Sequence, residues 1–313
     1  MQNGLTHSGT ANASEGVNGQ LVASHGYNYG VKHFNAKNTD SLAHTLETTL
    51  SMGRIDTEFL LKLGSIYLNG SRLDSALGLD HVINEGALLR VHTTPRRHNC
   101  QHNWRERIVF EHSDFLILNK PSGIPSHASV DNSIENSLTQ TSLAIGHPLL
   151  ISHRLVSLTE GLIVYGKNKK FVKAFNGLLT HHQIEKKYVA LTEKGPLLLN
   201  GKKNRLIHYM KPDPRAPKQV DHVAHDQWLL CELEILEQRP HQGDTWFFKL
   251  NLLTGRTHQI RTQLSFEGCP ILGDKQYGCQ RELESNRITL KAQELRFTYE
   301  GEQHLFTLDE DFK

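Results

Sequence analysis

One polar loop followed by a buried apolar run constrains this 313-residue chain more than any other stretch. The loop, residues 153–161, begins with the basic pair His153-Arg154 and ends at Gly161. The run that follows, Leu162-Ile163-Val164-Tyr165, has the continuous apolar character of a buried strand. Together they predict a strand–loop–strand unit that presents side chains and backbone groups to a polyanion.

Bulk charge does not identify a partner for this chain. The formal net charge is only +2, so affinity for a polyanion has to come from local basic clusters. Four such clusters occur, at Arg96-Arg97, at Lys167 with Lys169-Lys170, at Lys186-Lys187, and at Lys202-Lys203 with Arg205. Because a single basic pair is also typical of a solvated turn, each cluster needs a second signal before it indicates binding.

Cysteine and histidine usage predicts neither disulfides nor a metal site. The 4 cysteines are scattered without a C-x-x-C pair, and the 20 histidines lack ligand spacing and are expected at the surface. No charged-then-apolar leader opens the sequence, and no apolar run is long enough to span a membrane. We therefore expect a cytoplasmic protein with no membrane contact and no metal.

Changes in composition and pattern divide the chain into four parts. They are an extension rich in Gly, Asn, Ser and His (1–38), a small α+β module (39–94), a polar and basic linker (95–106) and a larger domain (107–313). The hydrophobic content of 37% is sufficient for a packed core. The length of the chain is typical of about two domains.

The small module carries several local signals. Leucines recur every fourth residue from Leu42 to Leu50 after Ser41, which predicts an amphipathic helix with a serine N-cap. A second helix is predicted over 56–63, ended by Gly64 in the left-handed conformation. Asn69-Gly70 is a dipeptide typical of a tight β-hairpin.

The larger domain consists of apolar runs separated by polar turns. The runs predict strands over 108–110, 115–118, 187–191, 229–236 and 246–253. Asn168 is expected to cap a helix with an apolar face that includes Phe171 and Phe175. A further helix is predicted to begin near Thr257. The Pro- and His-rich insert 208–225 is expected to be a surface loop with one or two short strands.

Four segments of this domain together resemble the motifs of a known family. Residues 153–162 read H-R-L-V-S-L-T-E-G-L, similar to the H-R-L-D-x-x-T-S-G-L signature of the RluA-type RNA pseudouridine synthases. Residues 119–127 match its N-K-P-x-G-x-x-x-H segment, and 186–190 match its K-x-Y-x-A segment. Residues 255–278 match G-R-x-H-Q-I-R and then G-x-P-I-x-G-D-x-x-Y-G. The resemblance implies an α+β fold with a mixed, mainly antiparallel sheet core and flanking helices on its outer face.

The small module is similar to the RNA-binding module, named after a ribosomal protein, that often precedes these synthases. Residues 66–70 and 83–91 carry degenerate forms of its V-x-V-N-G and L-x-x-G-D-x-L-x-V patterns, with Ala87 where an Asp is common. A packing module with no role in RNA binding remains the alternative.

Motif position also implies roles for single residues. Tyr188 would stack on a flipped-out base, and Arg261 would pair with the catalytic carboxylate, with Arg256 as the alternative for that pairing. The expected RNA contacts are His153, Arg154, Lys187, Arg256, His258, Lys120, Arg96 and Arg97. The family acts on uridines in ribosomal or transfer RNA without metal or cofactor, so RNA is the expected partner of a monomeric protein.

Two positions depart from the signature, and one of them removes its chemistry. Val156 stands where the family has its catalytic aspartate, and Glu160 replaces a serine. Positive charge develops on the sugar when the glycosidic bond breaks, so an ionised carboxylate is needed beside it. Glu160, Asp131 and Asp274 are the candidates to replace it. Without its partner, Arg261 is expected to find another anion, such as an RNA phosphate, or to turn towards water.

Two hypotheses of different class follow from Val156. In the first, the chain comes from an active isomerase and a natural or engineered substitution disables it. In the second, it is a natural pseudoenzyme that binds RNA in the same basic cleft. Retention of Arg154, Tyr188, Arg256 and Arg261 favours the first hypothesis, because an abandoned site would have drifted.

Overall fold

The computed structural model describes residues 30–197, 204–284 and 287–312. The chain divides into two compact units at the boundary between Pro95 and Arg96. Most of the predicted extension, 1–38, lies outside the described residues. Within the described ranges, no helix combines the length and the apolar character needed to cross a membrane.

The first unit is a small α+β module. Its elements are β1 (Val31–Asn35), β2 (Asp40–Ser41), α1 (Leu42–Leu50), α2 (Arg54–Leu63), β3 (Ile66–Leu68), β4 (Ser71–Arg72), β5 (Val82–Ile83) and β6 (Leu88–His92). Four of the strands form an antiparallel sheet in the order β1-β6-β3-β4. The core includes Leu42 and Leu46 from α1, Leu60 from α2 and Ile66 from β3.

Local signals in the module act as predicted. The Ser41 hydroxyl accepts a hydrogen bond from the His44 N–H at 3.2 Å and caps α1. Gly64 ends α2 in the left-handed region with φ 69°. Asn69 and Gly70 both have positive φ, which the two-residue hairpin between β3 and β4 requires.

The module begins earlier than predicted, and most of the predicted linker belongs to the second unit. Strand β1 pairs with β6 over its whole length, so the module begins before residue 39. The predicted linker, 95–106, packs into the second unit. The Arg97 guanidinium donates to the Glu135 carboxylate at 2.6 Å, and Trp104 is only 5% exposed in the core of that unit. The linker prediction rested on polar composition, which carries no information about long-range partners.

The second unit is built on an 11-stranded sheet. Its elements are β7 (Ile108–Glu111), β8 (Phe115–Lys120), α3 (Ser137–Ile145), β9 (Leu150–Ile151), β10 (Glu160–Gly166), α4 (Lys169–Thr180), β11 (Glu185–Thr192), β12 (Arg205–Met210), β13 (Val220–Asp221), β14 (Leu229–Pro240), β15 (Trp246–Leu252), α5 (Gln259–Phe266), β16 (Leu290–Tyr299) and β17 (Glu302–Thr307). The strand order is β13-β12-β14-β15-β11-β16-β10-β8-β7, with β17 on β16 and β9 on β10. Among the described strand pairs, only β10 and β16 run parallel, which confirms the mixed, mainly antiparallel sheet.

Strand β10 lies at the centre of two hydrophobic cores. Ile163 and Tyr165 point into the core that contains α5, whereas Leu162 and Val164 point into the core that contains α4. Helices therefore cover both faces of the sheet rather than one outer face, because β10 is apolar on both sides. The side chain of Asn168 caps α4 as predicted, accepting the Phe171 N–H at 2.9 Å.

Candidate active site

The loop 152–159 between β9 and β10 is held by the segment that follows β8. The Ser126 hydroxyl donates to the Leu155 carbonyl at 2.7 Å and accepts the Leu155 N–H at 3.0 Å. Two residues further along, the Ser157 carbonyl accepts the Gly123 N–H at 2.8 Å. The backbone is thus fixed on both sides of the residue between them, the valine at the family's aspartate position.

Lys120 adds a buried cation to this clamp. Its side chain is fully buried, and its ammonium donates to the carbonyls of Pro121 and Ile124 at 2.8 Å and of Ser157 at 3.0 Å. Burial lowers the pKa of Lys120 to about 7, and the nearby Glu160 carboxylate opposes that shift. Lys120 was expected to contact RNA, but in this structure burial puts its ammonium out of reach of a phosphate.

Val156 is half-buried at the tip of the clamped loop. Its carbonyl accepts the Thr159 N–H at 3.0 Å and closes a tight turn. Its side chain offers only hydrocarbon, which can neither carry charge nor accept a hydrogen bond. The fold therefore holds one position firmly in place and presents a branched aliphatic group there.

Two of the three candidate replacement carboxylates have other partners. Glu160 forms ion pairs with Lys291 at 3.4 Å and with Arg287 at 3.6 Å. The Asp131 carboxylate accepts the backbone N–H of Arg96 at 2.9 Å. These contacts stabilise each carboxylate in its present position, away from the place of the missing aspartate.

The third carboxylate, Asp274, pairs with Arg261. The Arg261 Nε donates to Oδ2 at 2.7 Å and its Nη2 donates to Oδ1 at 2.8 Å, while Nη2 also lies 3.2 Å from the Gln276 amide oxygen. The guanidinium lies over the Tyr277 ring with 4.7 Å to its centroid. Of the two outcomes expected for Arg261, another anion or a turn towards water, the structure has the first, and the anion is a carboxylate of the protein itself.

His258 belongs to the same buried network. Its Nε2 accepts a hydrogen bond from the Arg261 Nη1 at 3.2 Å, and its Nδ1 lies 2.9 Å from the Tyr277 hydroxyl. Burial, and then the Arg261 and Lys218 charges, lower the pKa of His258 to about 4, so the ring is neutral near pH 7. The residue was expected to contact RNA, and here its ring instead fixes the start of α5.

Tyr188 lies on β11, beside Leu250 on one neighbouring strand and Ala292 on the other. Gly161 also pairs with Ala292, so Tyr188 is two strands, or about 10 Å, from the residue that ends the loop. The ring is only 7% exposed, and burial raises the pKa of its hydroxyl.

The two lysines at the start of β11 face opposite sides of the sheet. Lys187 forms ion pairs with Glu294 at 2.8 Å and with Glu185 at 3.2 Å. Lys186 lies on the other side, where its Nζ is 3.4 Å from the position a Cβ would take at Gly255. Its charge also lowers the pKa of His153. Lys186, not the predicted Lys187, therefore lies where the first and second motifs meet. Its spacing of two from Tyr188 was the sequence signal for this.

Two further residues of the predicted RNA-contact set have structural partners. The His153 Nε2 accepts the Val164 N–H at 3.0 Å, and burial lowers the pKa of its ring to about 3. Arg97 donates from Nε and Nη2 to the Glu135 carboxylate. Both side chains stabilise the loops around the site.

The remaining predicted contacts present their charge to solvent. Arg96, Arg154 and Arg256 are exposed, and none forms an ion pair within the described part of the chain. Arg154 lies close enough to His127 for its charge, after the effect of burial, to lower the pKa of that ring. These three guanidinium groups are free to bind an anion.

The serines that hold the loop escaped sequence analysis. Ser126 bonds to a carbonyl 29 residues away, and the Ser122 hydroxyl donates to the Leu158 carbonyl 36 residues away at 2.7 Å. Both partners are backbone atoms, so no spacing of side-chain types could have indicated them.

Comparison with known proteins agrees with the motifs and the fold. The sequence model of the RNA pseudouridylate synthase family matches residues 114–266. An uncharacterized RNA pseudouridine synthase of Haemophilus influenzae is 31% identical over 198 residues, which cover 61% of this chain and 82% of that protein. The solved structure of human RNA pseudouridylate synthase domain containing 4 aligns with a TM-score of 0.54 at 21% identity, covering 66% of this chain and 89% of that one. That likeness supports the fold.

Two plant proteins extend the match but are longer. The chloroplastic RNA pseudouridine synthase 6 of rice is 29% identical over 285 residues, and its Arabidopsis thaliana counterpart is 33% identical over 216 residues. The alignments cover 72% and 61% of this chain but only 59% and 45% of those proteins, so the chain spans about half their length. With the clamped motif loop, the sheet and the Haemophilus relative in agreement, the chain belongs to the RNA pseudouridine synthase family.

Proposed function

We propose that the second unit binds structured ribosomal or transfer RNA at the loop 152–159, and that Val156 leaves this chain inactive or severely impaired as an isomerase. The observation that carries the proposal is the clamp itself. Ser126, Gly123 and Lys120 fix the loop through its backbone, so position 156 is held as a catalytic position would be, without the acid. Catalytic groups act only within about 0.5 Å of their productive position, so a carboxylate elsewhere on the loop is a poor substitute.

Replacement by Glu160 is disfavoured by its partners. Moving this carboxylate to the place of the missing aspartate would break its contacts with Lys291 and Arg287. It would also displace the negative charge that opposes the effect of burial on the Lys120 pKa. Breaking a buried charge pair typically costs about 3–5 kcal/mol. Glu160 therefore serves as the counterion of a basic cluster in this proposal.

The groups that would grip RNA converge from two motifs. Lys186 lies beside both His153 and Gly255, which supports a single cleft lined by the first and second motif loops. The exposed Arg154 and Arg256 supply further positive charge for phosphates. Tyr188 supplies the ring on which a flipped-out base could stack.

The Arg261–Asp274 pair favours the binding hypothesis over the disabled-enzyme hypothesis. Retention of Arg261 had argued for recent activity, but a bidentate partner inside the protein gives it a structural reason to persist. The same applies to His258, whose ring is held by Arg261 and Tyr277. Only Arg154, Tyr188, Lys186 and Arg256 then remain as evidence of selection at the site itself.

The decisive test compares the unaltered chain with Val156→Asp and, as a control without ionisable charge, Val156→Asn. Each protein is incubated with total RNA from cells that lack the endogenous gene, and pseudouridine is counted by mass spectrometry. If a carboxylate is all that is missing, Val156→Asp gains activity by about 10²- to 10⁴-fold over both other proteins. Activity in none of the three favours RNA binding as the function. Turnover by the unaltered chain would overturn the proposal.

A further inference from the structure

We propose that His208, His222 and Glu267 form a binding site for a divalent transition-metal ion, which joins the 208–225 insert to the end of α5. One ligand atom from each residue lies within 4.8 Å of the other two. The Glu267 Oε1 is 2.8 Å from the His208 Nε2 and 3.6 Å from the His222 Nε2. The three residues come from β12, from the loop after β13 and from the residue after α5, so sequence spacing did not indicate them.

The separations fit a small ion after slight adjustment. Two ligands bound at about 2.0–2.1 Å in tetrahedral geometry are about 3.3–3.4 Å apart. The measured distances from Glu267 to the two histidines, 2.8 and 3.6 Å, lie on either side of that value. Each of these ligand-to-ligand distances therefore has to change by about half an ångström or less for the residues to hold the ion.

The donor set selects the class of ion. Two imidazole nitrogens and one carboxylate oxygen suit zinc, cobalt, nickel or copper, whereas magnesium and calcium prefer oxygen ligands alone. Three protein ligands leave a fourth position for water. The His222 side chain is 50% exposed, so an ion can enter from solvent, while His208 is fully buried behind it.

The surroundings of His208 resemble those of a metal-bound histidine. Such residues are usually held by a hydrogen bond at the ring nitrogen that does not bind the metal. The Gln263 Nε2 lies 2.9 Å from the His208 Nδ1, and the Gln263 Oε1 accepts a hydrogen bond from the Gln259 Nε2 at 3.0 Å. Binding of an ion at the His208 Nε2 would place the ring proton on Nδ1, so the Gln263 amide would have to turn its oxygen towards the ring and give up its contact with Gln259. The Phe266 ring packs edge-on against both imidazoles at 5.2 and 5.0 Å and shields one side.

A bound ion would add a second tether to the insert. The insert already donates the Lys218 N–H to the Tyr277 hydroxyl at 2.9 Å, next to His258 and the Arg261 pair. The competing description of the cluster is a hydrogen-bonded clamp without metal, in which the His208 Nε2–H donates to Glu267. The two descriptions differ in whether an ion binds at one equivalent.

The test titrates the 313-residue chain, without a tag, with cobalt(II) and zinc(II) after chelator treatment. Calorimetry gives stoichiometry and affinity, visible absorption of cobalt reports tetrahedral ligation, and the melting temperature reports stabilisation by the bound ion. The variants are His222→Ala and Glu267→Gln, since both side chains are partly exposed and their loss should leave the fold intact. The control is His225→Ala, an exposed histidine on the same loop that pairs with Asp221 at 2.8 Å.

We expect one equivalent of either ion, an affinity at least about tenfold lower in His222→Ala and Glu267→Gln, and no change in His225→Ala. Absence of stoichiometric binding would overturn the proposal, and so would binding that both variants retain, since other histidines would then be responsible. None of these readouts requires RNA binding or isomerase activity, so the result is independent of the proposed function.

Discussion

Arg261 and Asp274 form a bidentate ion pair in which the two side chains are only 2% and 1% exposed. The pair joins α5 to the turn that follows Gly273, and His258 and Tyr277 surround it. Because Arg261 is satisfied inside the protein, a valine at position 156 leaves no unpaired buried charge behind. The fold can therefore tolerate the loss of the family's aspartate.

Removing one partner of this pair should strongly destabilise the second unit. Asp274→Asn leaves the buried Arg261 guanidinium without a counterion, and we expect the free energy of unfolding to fall by about 3–5 kcal/mol. Urea denaturation measures it. The matched control is Glu237→Gln, which breaks a 2.8 Å ion pair to Arg239 whose side chains are 45% and 47% exposed, and which should cost less than about 1 kcal/mol. Equal losses of stability in the two variants would contradict the claim that breaking this ion pair is costly because the pair is buried.

Gly161 is required where the motif loop enters the sheet. A Cβ at this position would lie 2.3 Å from the Ala292 carbonyl oxygen on β16, and the residue has φ +108°. Gly161→Ala should therefore push β10 away from β16, the only parallel strand pair among the described strands of this sheet. Gly301→Ala separates the steric clash from the backbone strain, because Gly301 has φ +83° but open space around it. Backbone strain alone costs about 1–2 kcal/mol. Thermal unfolding should show a clearly larger loss for Gly161→Ala, and a loss no larger than that of Gly301→Ala would refute the steric argument.

Lys186 and Lys187 should differ in their effect on RNA affinity, if the proposed cleft binds RNA. Lys186→Ala removes a cation from the side that faces both motif loops, whereas Lys187 is already neutralised by Glu294 and Glu185. Fluorescence titrations at several salt concentrations should give a log–log slope smaller by about 0.7–0.9 for Lys186→Ala and an unchanged slope for Lys187→Ala. The opposite ranking would place the RNA on the other side of the sheet.

His153 should make stability depend on acidity. Its pKa is lowered from 6.5 to about 3 in the folded chain, so between these values the unfolded chain binds a proton that the folded chain does not. The free energy of unfolding should therefore fall as the pH falls through this window. His153→Gln, which keeps an oxygen to accept the Val164 N–H, should lose less stability between about pH 7 and pH 4 than the unaltered chain, by urea denaturation. His147→Gln, at an exposed position, is the control, and an identical pH dependence in all three proteins would contradict the role of His153.

Several features of this protein were determined by the sequence alone, because their causes are local. The Ser41 and Asn168 caps, the Asn69-Gly70 hairpin and the left-handed Gly64 each depend on hydrogen bonds or dihedral angles within about four residues. The apolar run of β10 likewise predicted a buried strand. The order of family motifs along the chain was readable in the same way, since each motif is a short contiguous pattern.

Side-chain direction and long-range partners were decided only by the tertiary structure. Lys120 looks like an RNA contact until three backbone carbonyls, one of them 37 residues away, surround its ammonium. Strand alternation places Lys186 and Tyr188 on one face, but only the folded chain shows that this face, and not that of Lys187, lies beside Gly255 and His153. The grouping of His208 with Glu267 spans 59 residues. These outcomes depend on which strands become neighbours, because a charge is neutralised or buried by groups that only the folded sheet brings within a few ångströms.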